Sequence, residues 1–239
     1  MQRVVAITGG FGTLGRAVGN AFAADGWKVA LLDRAPAPDA ASSGESSGES
    51  LGESDKEMRS GGVDLTDLAA ARLAMSSVVE RLGPLNALIN VAGGFRWETL
   101  SDGELETWDL MYRANVRTAA TASKAALEHF GDSPEGGRIV NIAAGAALRA
   151  GAGMGAYAAS KSGVMRLTEA LADELKDRGI TVNAILPGTI DTPQNRADMP
   201  DADFSRWVQP ADIAAVIVFL ASRAASAVTG ALIPVTGRS

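Results

Sequence analysis

The chain has 239 residues, 46% hydrophobic and 21% charged, which supplies a buried core and excludes a disordered protein. Lys and Arg number 22 against 28 Asp and Glu, and the net charge of −6 argues against nucleic-acid binding because a phosphate backbone is repelled. Cysteine is absent and histidine occurs once, at His129, so disulfides, thiolate sites and His-based metal sites or triads are not expected.

Val4 to Thr8 is a short β-branched run ending in glycines, the pattern of a buried strand. Leu14, Ala17, Val18, Ala21 and Phe22 then fall on one face of a helix ending at Ala24. Val29 to Asp33 reads as a second buried strand, which completes a βαβ unit. Residues 35–62 carry Pro36, Pro38 and a repeat, Ser43-Gly44-Glu45, Ser47-Gly48-Glu49 and Leu51-Gly52-Glu53. Such a stretch buries too little apolar surface to offset its ordering entropy and is expected to be a surface loop inserted into the domain. Val63-Asp64-Leu65 is expected as a short strand, and Thr66 to Leu82 as a helix with Thr66 as N-cap and Gly83-Pro84 as its stop. Strands follow at Ala87 to Val91, Arg138 to Ala143, Thr181 to Leu186 and Ala231 to Val235. Helical patterns occupy 102–130, 155–178 and 211–222, the first ending at Gly131. Strand–helix alternation over the whole chain predicts one α/β domain, a Rossmann-type doubly wound parallel sheet of about seven strands, with ligands beyond the carboxyl ends of the strands. No apolar run of ~18 residues and no signal-peptide pattern occurs, so a cytoplasmic protein without membrane association is expected.

Gly9-Gly10-Phe11-Gly12-Thr13-Leu14-Gly15 lies between the first strand and the first helix. Glycines there allow a tight turn and close backbone approach to a pyrophosphate, and the helix N-terminus adds free N–H groups and a positive dipole end. Asp33, at the end of the next strand, can accept both hydroxyls of an adenosine ribose and repel a 2′-phosphate, which favours NAD over NADP; Arg34 and Arg16 nearby soften that choice. Asp64, with Leu65, is placed to meet the adenine amine, and the small residues of Asn90-Val91-Ala92-Gly93 let a cofactor pass close to the backbone.

Tyr157 and Lys161 are one helical turn apart and share a face. A phenol titrates near ~10, and a neighbouring cation favours the phenolate, which brings it closer to working pH as an acid or base. In order along the chain come Thr8-Gly9, the glycine turn, Asn90-x-Ala92-Gly93, Asn115, Tyr157-x-x-x-Lys161 and Pro187-Gly188. This combination resembles the short-chain dehydrogenases/reductases from about residue 3 to 237.

The resemblance implies that Tyr157 is the proton donor or acceptor and that Lys161 lowers its pKa and binds the nicotinamide ribose. It also implies that Asn115 holds a relay water, and that Pro187, Gly188, Thr189, Ile190 and Thr192 line the nicotinamide or phosphate end. Two departures stand out. Thr13 replaces the usual middle glycine, and Ala144 stands where the family places a serine, thirteen residues before the tyrosine. One branch, the dihydropteridine reductases, is similar in both respects and in the stretch from Asp191-Thr192-Pro193 to Trp207. That likeness implies a small-molecule substrate with a flat conjugated ring, received by Ala144, Phe95, Met154 and Trp207. A carbonyl or alcohol substrate, and a weakly catalytic cofactor sensor signalling through residues 35–62, are the alternatives. A homodimer or homotetramer is expected through alanine-rich faces of the 102–130 and 155–178 helices.

Overall fold

The computed structural model describes residues 2–38, 55–130 and 136–238. Strands β1 (Val4–Thr8), β2 (Lys28–Leu32), β3 (Glu57–Ser60), β4 (Ala87–Asn90), β5 (Arg138–Ile142), β6 (Thr181–Pro187) and β7 (Leu232–Val235) form one sheet in the order β3-β2-β1-β4-β5-β6-β7. Every pairing is parallel. Because the order reverses between β1 and β4, the connections leaving those two strands diverge to opposite faces and open a crevice at their carboxyl ends.

Alternation along each strand decides which helix covers which face. Val4, Ala6, Ala30, Leu32, Leu88, Ile139 and Val182 meet α2 (Leu68–Leu82), α4 (Thr118–Ala126) and the end of α5 (Gly155–Leu175). Val5, Ile7, Val29, Leu31, Ile89, Val140 and Ile185 meet α1 (Thr13–Ala24) and α7 (Pro210–Ala221). In the second layer Phe22 is fully buried, with its ring edge-on to Trp27 at 5.0 Å. No helix among the described residues is long and apolar enough to cross a membrane.

Three expectations are corrected. The third strand is Glu57–Ser60, inside the stretch read as a loop, and Val63-Asp64-Leu65 is not a strand. An edge strand covered on one face needs few apolar residues, and only Met58 of β3 is buried, while Val63 and Leu65 enter the core from an extended connection. The serine-rich repeat itself, residues 39–54, lies outside the described residues.

Asp67, not Thr66, caps α2: its carboxylate accepts from the Ala69 amide at 2.9 Å, whereas the Thr66 hydroxyl is spent on Asp64. The 102–130 stretch is helical only over Glu106–Ala126, and not uniformly: α3 (Glu106–Met111) passes through a π-helical turn, Tyr112–Arg117, into α4. Its expected end at Gly131 lies outside the described residues. Ala122, Ala125 and Ala126 of α4 belong to the core and offer nothing to a partner helix. His129 lies just beyond α4, half-buried, with Nε2 3.4 Å from the Ser76 hydroxyl.

Phe22→Ala removes a fully buried ring and its edge-on partner, so it should lower stability by about 3–5 kcal/mol, read as a lower urea midpoint with an unchanged denaturant slope.

Candidate active site

The turn from β1 to α1 is built by close contact. Gly9 has φ 63°, and a Cβ there would sit 2.8 Å from the Ala92 amide nitrogen; a Cβ on Gly15 would collide with the Gly9 carbonyl oxygen. Thr8 fastens the turn to the next strand end, because its hydroxyl accepts from the Ala92 amide at 3.1 Å. Gly12 is exposed, and a Cβ on it would approach only the Gly9 oxygen, at 3.4 Å, so the outer face of the turn is open to a ligand. Thr13 opens α1 with no side-chain cap, and Leu14 turns into the core. The helix N-terminus therefore keeps free N–H groups aimed at the crevice.

Asp33 follows β2 and is half-buried against the turn. Its Oδ2 accepts from the Phe11 amide at 3.0 Å and Oδ1 from the Ala35 amide at 2.9 Å. Asp64 closes a tight turn with the Thr66 amide and hydroxyl, which hold its carboxyl below the usual range, assisted by the charges of Arg34 and Arg113. Leu65 is a core residue, so only its backbone is available to a ligand. These residues fit a dinucleotide: a bare glycine turn, an open helix N-terminus and a carboxylate at the end of β2.

The reactive pair opens α5. Tyr157 and Lys161 share the expected face, with Lys161 Nζ 6.0 Å from the centre of the Tyr157 ring. The ammonium is buried and donates to the Ile142 carbonyl at 2.8 Å. A Cβ on Gly93 would sit 3.3 Å from Nζ, so the bare residue makes room for it.

Asn115, in the π-helical turn, is also buried. Its Oδ1 accepts from the Gly94 amide at 2.9 Å, and its Nδ2 donates to the Gly94 carbonyl at 3.1 Å and to the Ser160 hydroxyl at 2.9 Å. Ser160 in turn donates to the Tyr157 carbonyl at 2.7 Å. The extra residue of a π turn re-aims one side chain without ending the helix, and here that side chain is Asn115.

One expectation about charge is reversed. Burial pushes the Tyr157 phenol up to about 12, and it pushes the Lys161 ammonium down to about 8. Loss of water sets the net direction of the phenol's shift, which is upward despite the ammonium nearby.

Around Tyr157 stand the aromatic residues. Phe95 meets its ring edge-on at 4.9 Å and is 56% exposed. Trp97 lies over Gly153, where a Cβ would be 2.7 Å from Cδ2, and Trp108 lies over Gly155. Met154 precedes the first turn of α5, and Ala144, buried, follows β5 and offers only a methyl group. Trp207 is placed differently: its ring is 8% exposed and packed on Phe204 at 4.7 Å.

Asn90 serves the interior, donating to Ser123 at 3.1 Å and to Asn141 at 2.8 Å, and Asn141 donates to Thr168 at 2.9 Å. Ser160 was not found from sequence as a site residue, and Thr8 entered only as part of the Thr8-Gly9 motif; a single hydroxyl carries no pattern until the elements are brought side by side. Pro187 ends β6, and Gly188, Thr189, Ile190 and Thr192 continue along the same carboxyl edge. Among the described residues no group of three or more His, Asp or Glu gathers to hold a metal.

The short chain dehydrogenase family profile matches residues 3–203. 2-(S)-hydroxypropyl-CoM dehydrogenase 3 of Xanthobacter autotrophicus is 33% identical, with 99% of this chain and 96% of that protein covered. Acetoacetyl-CoA reductase of Allochromatium vinosum is 29% identical, with 99% and 98% covered. Among solved structures, a blue fluorescent protein from a metagenomic library in complex with NADPH is similar at a TM-score of 0.81 and 33% identity, covering 99% of this chain and 97% of that one. A profile that spans most of the chain, and a relative one-third identical along nearly all of it, agree with the crevice and its tyrosine–lysine pair: the chain belongs to the short-chain dehydrogenase family of NAD(P)-dependent oxidoreductases.

Proposed function

We propose that this protein reduces a small flat conjugated ring, of the quinonoid dihydropteridine kind, with NADH as the preferred reductant. The observation that carries the reading is Ala144, a buried methyl where a hydroxyl would otherwise steady a substrate oxygen. Loss of one such donor typically costs about 2.7–4 kcal/mol when an alkoxide develops. A ring that takes up hydride into a conjugated system and a proton on nitrogen develops no alkoxide, so the missing hydroxyl matters less. Phe95, Trp97, Trp108 and Met154 around the start of α5 suit a flat apolar face.

The bound cofactor would supply the hydride. The glycine turn Gly9–Gly15 would hold its pyrophosphate, Asp33 with Arg34 its adenosine ribose, and Asp64 with the Leu65 backbone its adenine. Ala92 and Gly93, and the run Pro187, Gly188, Thr189, Ile190 and Thr192, would line the other half, with Asn90 behind them in the interior. Tyr157 would hold its proton, donate it to the substrate, and be refilled through Lys161 from a relay water held by Asn115. Phe11 already engages one oxygen of Asp33, which leaves the carboxylate fixed toward the crevice and hostile to a 2′-phosphate. A homodimer or homotetramer in the cytoplasm is proposed with this activity, supported by family membership and by the absence of cysteine.

The relatives named above favour a second reading, a carbonyl or alcohol substrate that tolerates Ala144. The two separate in one assay of NADH oxidation, with quinonoid dihydropterin generated in situ beside a ketone panel. The ring should be turned over and the ketones barely. Ala144→Ser should raise ketone turnover by up to about 10²-fold, as one recovered donor predicts, and leave ring turnover within threefold. Ketone turnover that exceeds ring turnover in the unmodified protein would sink the first reading.

The reductive kcat/KM should be level below pH 7 and fall as pH rises through about 8. Below that value Lys161 carries the charge that steadies the phenolate left when Tyr157 gives up its proton; above it the charge is lost, while Tyr157 itself stays protonated until about 12. In Lys161→Met the limb near pH 8 should disappear along with most of the rate. Asp33→Ala should reduce the preference for NADH over NADPH, measured as the ratio of kcat/KM values, by about tenfold or more.

A further inference from the structure

The segment between β6 and α7 leaves the sheet at Pro187 and returns at Pro210. Its two ends are joined: the Val208 amide donates to the Thr189 carbonyl at 3.0 Å, and the Asp191 amide donates to the Val208 carbonyl at 2.9 Å. Inside that join one carboxylate is used three times. Asp191 Oδ1 accepts from Arg196 Nε at 2.6 Å, and Oδ2 accepts from Arg196 Nη2 at 2.7 Å and from Gln209 Nε2 at 2.9 Å.

The Asp191 side chain is 8% exposed, unlike the open surface pair of Lys176 and Asp173. A two-pronged guanidinium–carboxylate contact fixes direction as well as distance. Arg196 also lies over the Phe204 ring at 4.9 Å, and Asn195 Nδ2 returns to the Ile190 carbonyl at 2.8 Å. Three pieces therefore meet at one carboxylate: the turn after β6, the short helix α6 (Pro193–Asp198) and the return at Gln209.

We propose that Asp191 is a positioning residue, pinned by Arg196 and Gln209, that holds the 189–192 turn in the shape that receives the nicotinamide half of the cofactor. The inference rests on the assignment of Thr189, Ile190 and Thr192 to that half, proposed above. The hydrogen bonds from Arg196 and Gln209 hold the Asp191 carboxyl down to about 2, so the brace stays charged at any working pH. The adenosine half would be held elsewhere, by the β1–α1 turn and Asp33, and should not sense the brace.

The test compares binding of NADH with binding of AMP, which carries the adenosine half alone, by calorimetry on the unmodified protein, Asp191→Asn and Arg196→Lys. Melting temperatures are taken alongside. The unmodified protein should bind NADH much more tightly than AMP. Asp191→Asn should weaken NADH about tenfold, equivalent to about 1.4 kcal/mol, and shift AMP less than twofold. Arg196→Lys keeps the charge and loses the fork, so it should fall between; because Arg196 is half-exposed, this variant also carries the test if Asp191→Asn fails to fold. Equal weakening of both ligands, or of neither, with the unmodified protein still preferring NADH, overturns the positioning role alone. Equal affinity of the unmodified protein for NADH and AMP overturns the assignment of the turn itself.

Discussion

An ammonium buried at the carboxyl edge of a parallel sheet is the constraint around which this structure is arranged. Lys161 lies under the strand ends, 6% exposed, with the Ile142 carbonyl as a hydrogen-bond acceptor. Charge in such a place is expensive unless dipoles face it. Room must also be made for it, and the residues nearest the strand ends are small: Ala92, Gly93, Ala143 and Ala144. The result is an ammonium poised close to neutrality beside a phenol that burial keeps protonated. Burial moves the two proton affinities apart, so the phenol keeps its proton while the ammonium comes close to losing one.

The scaffold holds this pair by giving α5 two tasks. Toward its end the helix is a core element, with Ala172 and Leu175 against the sheet. At its start it carries Tyr157 and Lys161 into the crevice. Between these, the polar chain from Ser123 through Asn90 and Asn141 to Thr168 ties α4, two strands and α5 together inside the core. Hydrogen bonds between buried side chains on different elements favour one arrangement over others, since any slip would break several of them. The site inherits its precision from that register.

Chemically, the crevice offers the Tyr157 phenol, kept protonated by burial, and a methyl at Ala144. Phe95 and the two indoles lying on Gly153 and Gly155 add flat apolar surface near the start of α5. Family membership decides the reaction type.

Features that depend on neighbours in the chain were readable from the sequence. The strand, glycine turn and helix at the N-terminus, and the tyrosine and lysine one turn apart, are local patterns, and so is the strand–helix alternation that implies a parallel sheet. What could not be read depends on partners distant in sequence. The edge strand β3 has only Met58 to bury, so its pairing with β2 decides its state. The π turn at Asn115 and the reuse of one carboxylate by Arg196 and Gln209 arise only when separate segments are packed together. The direction of the Tyr157 shift was misjudged for the same reason: spacing tells how near two groups lie, whereas the fold alone decides how much water each retains, and here loss of water sets the direction.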